Sequence, residues 1–190
     1  LASATFGQPN DRRLVRNVVI NEIMYHHAAR DDRYEYLELY NRGADTLFLA
    51  GWKLADAVDY TFGPDVVMPP GSYLVVAKDP EFLAVVYSHL TRGVNLLGPY
   101  EGTLNNHSDR IRLSYPLRQT NPKTGKPENT LVTVDEVTYY DGGAWPRWAD
   151  GMGASLELRD PRSDNDVPGA WADSDENGKT RWQPFSFTVD

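Results

Sequence analysis

Cysteine is absent from this 190-residue chain, which removes disulfide frameworks, thiolate zinc sites and a cysteine nucleophile from its possible chemistry. Either redox compartment suits such a chain. Positive charge is scarce as well: 19 Lys and Arg against 27 Asp and Glu leave a net charge of −8. Following a nucleic-acid backbone needs a basic face, so no nucleic-acid partner is expected. No apolar run approaches the roughly 18 residues of a membrane span, and no hydrophobic region of a signal peptide is present. The chain starts at Leu1, not Met, as expected of a fragment or a processed product. Familiar catalytic signatures are missing too. Ser72, Ser88, Ser108, Ser114 and Ser155 lie in no G-x-S-x-G turn, and neither a G-x-G-x-x-G, a P-loop nor an H-E-x-x-H occurs.

What is present is a chain long enough for one ordinary domain with its own core. Residues 1–17 are polar and aperiodic and read as a lead-in, with Arg12, Arg13 and Arg16 on a solvated terminus. Residues 18–41, VVINEIMYHHAARDDRYEYLELYN, hold two runs of β-branched, aliphatic and aromatic residues around a polar connection, the layout of two paired strands. Glu22, Glu35 and Glu38 fall inside these strand-like runs. The connection offers His26, His27, Asp31 and Asp32, but adjacent histidines on extended chain point to opposite sides, which weakens it as a metal set. In the second strand Leu37 and Leu39 share a face with Glu35, and Tyr34, Tyr36, Glu38 and Tyr40 share the other, so the strand is expected to be central and covered on both sides, or to carry its aromatics on a partner surface.

Residues 46–54 read as one strand whose apolar phase switches between Leu49 and Trp52. A β-bulge at Gly51 is expected to bring Leu49, Trp52 and Leu54 to one side. Further strands are predicted around Tyr60 and over 72–77, 110–115, 131–140 and 154–159, with turns at 41–45 and 68–71 and a loop over 96–104. Asp79 as N-cap, Pro80 at the first helical position, and Phe82, Leu83, Val86 and Tyr87 at helical spacing predict a single short helix over about 80–88, inserted between strands. The Pro-rich, polar residues 116–130 read as a long exposed hairpin connection. Seven or eight strands and one helix favour an all-β fold, an antiparallel β-sandwich of immunoglobulin-like type.

Taken in order, INEIMY (20–25), EYLELYN (35–41), LAGWKL (49–54), YTF (60–62), PPGSYLVVA (69–77) and GASLELRDP (153–161) resemble the lamin tail domain family, most closely its bacterial members. The resemblance spans 18–171. It implies an immunoglobulin-like sandwich over 18–172, with Glu22, Glu35, Gly51 and Trp52 as parts of a structural signature. It also implies a non-catalytic adhesion or assembly module of a larger secreted or cell-surface bacterial protein, hence an extracellular or cell-surface location. No coiled-coil heptads accompany it, so filament formation is not implied.

Against that background three candidate sites stand out. Trp145 and Trp148, in the loop 141–153 near Tyr139 and Tyr140, form a possible platform for a protein or polysaccharide partner, with core packing as the alternative reading. Residues 173–190 begin as an acidic linker. There Asp173, Asp175 and Asn177, followed by Gly178, reproduce the first half of a calcium loop, but Pro184 occupies the place of its bidentate glutamate. A calcium-assisted carbohydrate-binding module is therefore the second reading. The third, a hydrolase, would use Glu22 and Glu35 and requires them to converge on one cleft. The final residues, 181–190, alternate like the opening strand of a following domain.

Overall fold

The computed structural model describes residues 17–121 and 123–175. Asn177, the residues expected to form a further strand, and the lead-in up to residue 16 lie outside them. Strands β1 (Val18–Met24) and β2 (Tyr36–Asn41) pair antiparallel, as their apolar runs predict. A 3-10 helix, Asp32–Tyr34, joins them, with the Asp31 side chain accepting from the Arg33 backbone N–H. The β1–β2 register slips between Ile20 and Glu22, which makes Asn21 a bulged residue. That bulge lets residues on both sides of it serve the core: Ile20 and Ile23 are both fully buried.

The next segment departs from its expected form. Residues 46–54 are not one bulged strand but β3 (Leu47–Phe48) and β4 (Lys53–Asp56), separated by a turn in which the Trp52 N–H donates to the Leu49 carbonyl at 2.9 Å. Gly51 sits in that turn at φ 73°, a conformation that side-chain-bearing residues rarely adopt. The turn achieves what the bulge was expected to do, because Leu49, Trp52 and Leu54 all enter the main core. Strands β5 (Val58–Thr61), β6 (Val67–Met68) and β7 (Tyr73–Ala77) follow. Helix α1 (Pro80–Val86) is capped by the Asp79 carboxylate, which accepts from the Phe82 N–H at 3.0 Å.

The helix leads into β8 (Leu96–Leu97), which pairs parallel to β7. This one parallel pair departs from the all-antiparallel expectation, and α1 supplies the crossover that such a pair needs. The expected loop over 96–104 also carries β9 (Glu101–Gly102). Between these two strands Gly98, at φ 122°, passes so close to the Ala77 carbonyl that a Cβ would collide with it.

Strands β10 (Ser108–Thr120) and β11 (Pro127–Tyr140) form a hairpin far longer than predicted, so most of 116–130 is ladder and not connection. Its outer part has no apolar face to bury, and therefore lacks the alternation by which a strand is recognised. Pro116 is accommodated because β4 covers β10 only from Ile111 to Ser114. Strands β12 (Leu156–Leu158) and β13 (Trp171–Asp173) complete the described residues. Among the described residues, thirteen strands thus replace the seven or eight expected. Four of the additions are two-residue pairings, too short to show a period.

The main sheets run β13-β12-β1-β2-β7-β8 and β11-β10-β4-β5-β9, with β3-β6 as a separate pair. Their facing sides form one core of residues such as Ile20, Leu37, Leu39, Val76, Leu54, Ile111, Leu113 and Val137. On the outer face of the six-stranded sheet, Leu83 of α1 packs on Met24, Tyr36, Val75 and Ala77. The β1–β2 pair is thereby covered on both faces, and every residue of β1 is buried. At the end of β2 the fully buried Asn41 carboxamide donates to the carbonyls of Asp45, Met68 and Pro69 at 2.9–3.1 Å and accepts from the Gly43 N–H at 3.0 Å. It ties two turns to one strand end. Asn41→Ala orphans these groups and is expected to cost about 2–4 kcal/mol in urea denaturation, more than one ordinary hydrogen bond.

Candidate functional site

The loop 141–153 has no regular structure, yet nearly every part of it is tied down. Trp145 is buried, with its ring centroid 6.1 Å from that of Trp171 and 6.3 Å from that of Tyr140. Trp171 in turn donates from Nε1 to the Asn165 carbonyl at 2.8 Å. Asp173, on β13, reaches back under the loop: its Oδ1 accepts the backbone N–H groups of Trp148 and Ala149 at 2.8 and 3.0 Å. The Gly151 N–H donates to the His26 carbonyl, while His26 Nδ1 and Asp150 Oδ1 lie 2.7 Å apart. Ala149, between these anchors, is fully buried.

Held this way, the loop projects two large apolar side chains, Trp148 at 63% and Met152 at 64% exposure. Trp148 forms the ridge between two grooves. One, of about 280 Å³, is bordered by Trp145, Arg147, Arg159 and Asp173. The other, of about 320 Å³, is bordered by Met152, Asp173, Ser174 and Asp175. A fixed backbone under an exposed indole is a pre-organised contact surface, since little side-chain or loop entropy is left to lose on binding.

The four aromatics predicted as a platform therefore divide. Trp148 and the half-exposed Tyr140 reach solvent; Trp145 and Tyr139 are buried, Tyr139 donating its hydroxyl to the Asn105 carbonyl at 2.7 Å. Met152 was not foreseen, although its setting between Gly151 and Gly153 places it in the same loop. Of the calcium-loop residues, Asp173 and Asp175 flank the second groove and Asn177 lies outside the described residues. Among the described residues no three His, Asp or Glu side chains are arranged to hold a metal ion.

Glu22 and Glu35 do not converge. Glu22 Oε1 accepts the Tyr36 and Ser155 hydroxyls, each at 2.5 Å, and borders a cleft on the outer face of the six-stranded sheet. Glu35 borders a different cleft, with Tyr25, His26 and Asp31, and its Oε2 accepts the Tyr100 hydroxyl at 2.9 Å and the Leu104 N–H at 3.0 Å. Burial pushes the Glu35 carboxyl up to about 7 in spite of those two donors. A third carboxylate, the half-buried Asp135, escaped notice in the sequence. Its Oδ2 accepts from the Ile20 N–H and the Asn165 side chain, both at 2.7 Å, and burial raises it to about 6. Asp135 is placed by a bulge in β11, where the register slips opposite Leu113 and Ser114. The one outward sign of it is the phase break between Val134 and Val137.

Residues 13–141 match the family model of the lamin tail domain. The chain belongs to the lamin tail domain family. Its fold is accordingly an immunoglobulin-like β-sandwich, and the family is one of interaction modules, not enzymes. No curated protein matches the chain significantly. The matched segment ends where the Trp148 loop begins. Residues beyond it are nevertheless integral to this lamin tail domain: β12 pairs with β1, and Trp171 lies in the main core.

Two measurements check this description. The folded-state values of Glu35 and Asp135 lie above the ordinary carboxylate range, so the stability linked to their protonated forms is fully present below about pH 4 and is lost as pH rises through about 6 to 7. The urea midpoint is expected to fall between pH 5 and pH 8, and Glu35→Gln to flatten that fall. Asp173→Ala removes the acceptor shared by the Trp148 and Ala149 amides, whose hydrogen exchange is expected to accelerate by about tenfold or more while β1 amides are unaffected.

Proposed function

We propose that this lamin tail domain is a non-catalytic adhesion or assembly module of a larger secreted or cell-surface bacterial protein, and that it docks a protein partner on the Trp148–Met152 face. The supporting observation is the exposure of two large apolar side chains on a loop whose backbone is fixed by Asp173, His26 and the Trp145–Trp171 contact. An exposed indole beside a thioether has the composition of an interface centre, and the surrounding Arg147, Asp173 and Asp175 supply a polar rim. The resemblance of the sequence to bacterial family members is what supports the extracellular or surface setting in this reading.

A second reading, a calcium-assisted carbohydrate-binding module, is favoured by one feature. Asp173, Ser174 and Asp175 border the groove beside the Trp148 ring, so oxygen ligands and a stacking surface are neighbours.

Binding of the full chain to protein and glycan arrays, with and without chelator, separates the two. Chelator-insensitive protein binding that Trp148→Ala abolishes is the expected result; glycan binding abolished by chelator supports the second reading. Retention of all binding by a Trp148→Ala/Met152→Ser variant overturns both. Trp148→Ala is expected to change stability by less than about 0.5 kcal/mol, being exposed. Trp145→Ala is expected to cost about 3–5 kcal/mol, as removal of a buried indole does. Denaturation curves thus distinguish the contact residue from its support.

A further inference from the structure

We propose that the free edge of β11 pairs with the same edge of a second copy of this chain, antiparallel and centred on Leu131, so that two β10–β11 hairpins become one four-stranded sheet. β11 is the outermost strand of its sheet, and among the described residues β10 is the one strand paired to it. Free edges in folded proteins are usually blunted by charge, proline or a bulge. Pro127 and the bulge near Val134 bound this edge, but residues 129–134, NTLVTV, hold neither charge nor proline and are mostly of strand-favouring type. Asn129, Leu131 and Thr133 are exposed. Further along, the edge opens on a cleft of about 560 Å³ bordered by Thr133, Glu136, Arg162 and Asp164, so the neighbouring loop leaves room beside the strand.

The hairpin register decides which backbone groups face outward. The Asn121 N–H donates to the Lys126 carbonyl at 2.9 Å, which makes these two a hydrogen-bonded pair at the hairpin end. Bonded and non-bonded pairs alternate along an antiparallel ladder. Thr120 with Pro127, Arg118 with Asn129, Pro116 with Leu131 and Ser114 with Thr133 are therefore the non-bonded pairs, whose backbone groups turn away from the partner strand. Both prolines of the hairpin fall in this set, where no N–H is asked of them within the ladder. Asn129, Leu131 and Thr133 thus present N–H and C=O groups along one open edge.

A second copy suits this edge on two grounds. β4 pairs with β10 only from Ile111 to Ser114, so from Tyr115 onward the hairpin stands as two strands, and a two-stranded ribbon is marginally stable in water. Another copy brings a strand already extended, with the same outward groups, which is the self-complementarity that a two-fold contact demands. Charge then selects the register. Pairing Leu131 with Leu131, and Asn129 with Thr133, matches outward groups to outward groups and sets the two Leu131 side chains, each 52% exposed, side by side on one face. Glu128 then lies opposite Val134, and the exposed Lys126 comes toward Glu136 of the other copy. A slip of two residues one way sets Glu128 against Glu136, and like charges placed opposite one another repel. A slip the other way gives Thr133 a proline, Pro127, in place of Asn129.

The test is sedimentation equilibrium of the full chain from micromolar to millimolar concentration, with amide hydrogen exchange at both ends of that range. A monomer–dimer equilibrium is expected. Exchange at Asn129, Leu131 and Thr133 slows as the dimer fills, while Thr130 and Val132, whose amides face β10, are unchanged. Leu131→Pro removes an outward N–H without touching the hairpin's own ladder and is expected to abolish the dimer. Lys126→Glu lies outside the strands and is expected to weaken dimerisation by about fivefold, by placing a like charge near Glu136 of the other copy. It keeps the test open should the proline variant fail to fold. A chain that stays monomeric at millimolar concentration overturns the proposal, whether its edge amides exchange freely or are held by another segment of the same chain. So does a dimer that neither substitution weakens, such as one formed through the Trp148–Met152 face.

Discussion

Two-sided burial of the β1–β2 pair is the constraint on which the rest of the structure depends. The sandwich core covers one face and α1 covers part of the other, so polar groups along this pair have little water to turn to and must be met by protein. The Ile20 N–H is met by Asp135 of the opposing sheet, and Glu35, at the threshold of β2, meets the Leu104 N–H and the Tyr100 hydroxyl. Each carboxylate takes over a backbone group or a hydroxyl that strand pairing does not satisfy. The raised values of Glu35 and Asp135 follow from the same burial. Perturbed carboxyls often mark catalysis, but here each is accounted for by the closure of one sheet on another.

The same constraint bears on where the proposed contact surface lies. The β1–β2 pair has no uncovered face to offer a partner, and exposed apolar side chains lie elsewhere, Trp148 and Met152 among them on a loop. That loop emerges from β11 and returns as β12, beside β1. Trp145 and Trp171 tie it to the core, Asp173 ties it to β13, and Trp148 and Met152 are left outward. Of two tryptophans three residues apart, one is thus structural and the other available for binding.

Much of the fold was legible in the sequence because strong local signals agree with the tertiary outcome. The apolar runs around Val19 and Leu37, the Asp79-Pro80 helix start and the Met68–Gly71 turn all form as predicted. What was not legible depends on contacts between distant residues. Gly51 was expected to mark a bulge, because a phase change alone does not distinguish a bulge from a tight turn. The outer β10–β11 ribbon has two solvated faces and so shows no alternation. At the site, period-two alternation explains why Tyr139 is buried and Tyr140 exposed, but nothing in the sequence ranks Trp145 against Trp148. That assignment rests on the Trp171 ring, 26 residues further on. Asp135 was hidden because its role requires two bulges, one in each sheet, to face one another.

Amide hydrogen exchange at Ile20 and Leu104 tests the central claim most directly, since each N–H donates to a side-chain carboxylate from another part of the fold. Side-chain carboxylates that truly replace backbone partners give exchange as slow as that of Leu37 and Leu39, amides from the centre of the sandwich. Exchange at Ile20 and Leu104 as fast as in the exposed residues 123–126 would contradict the account.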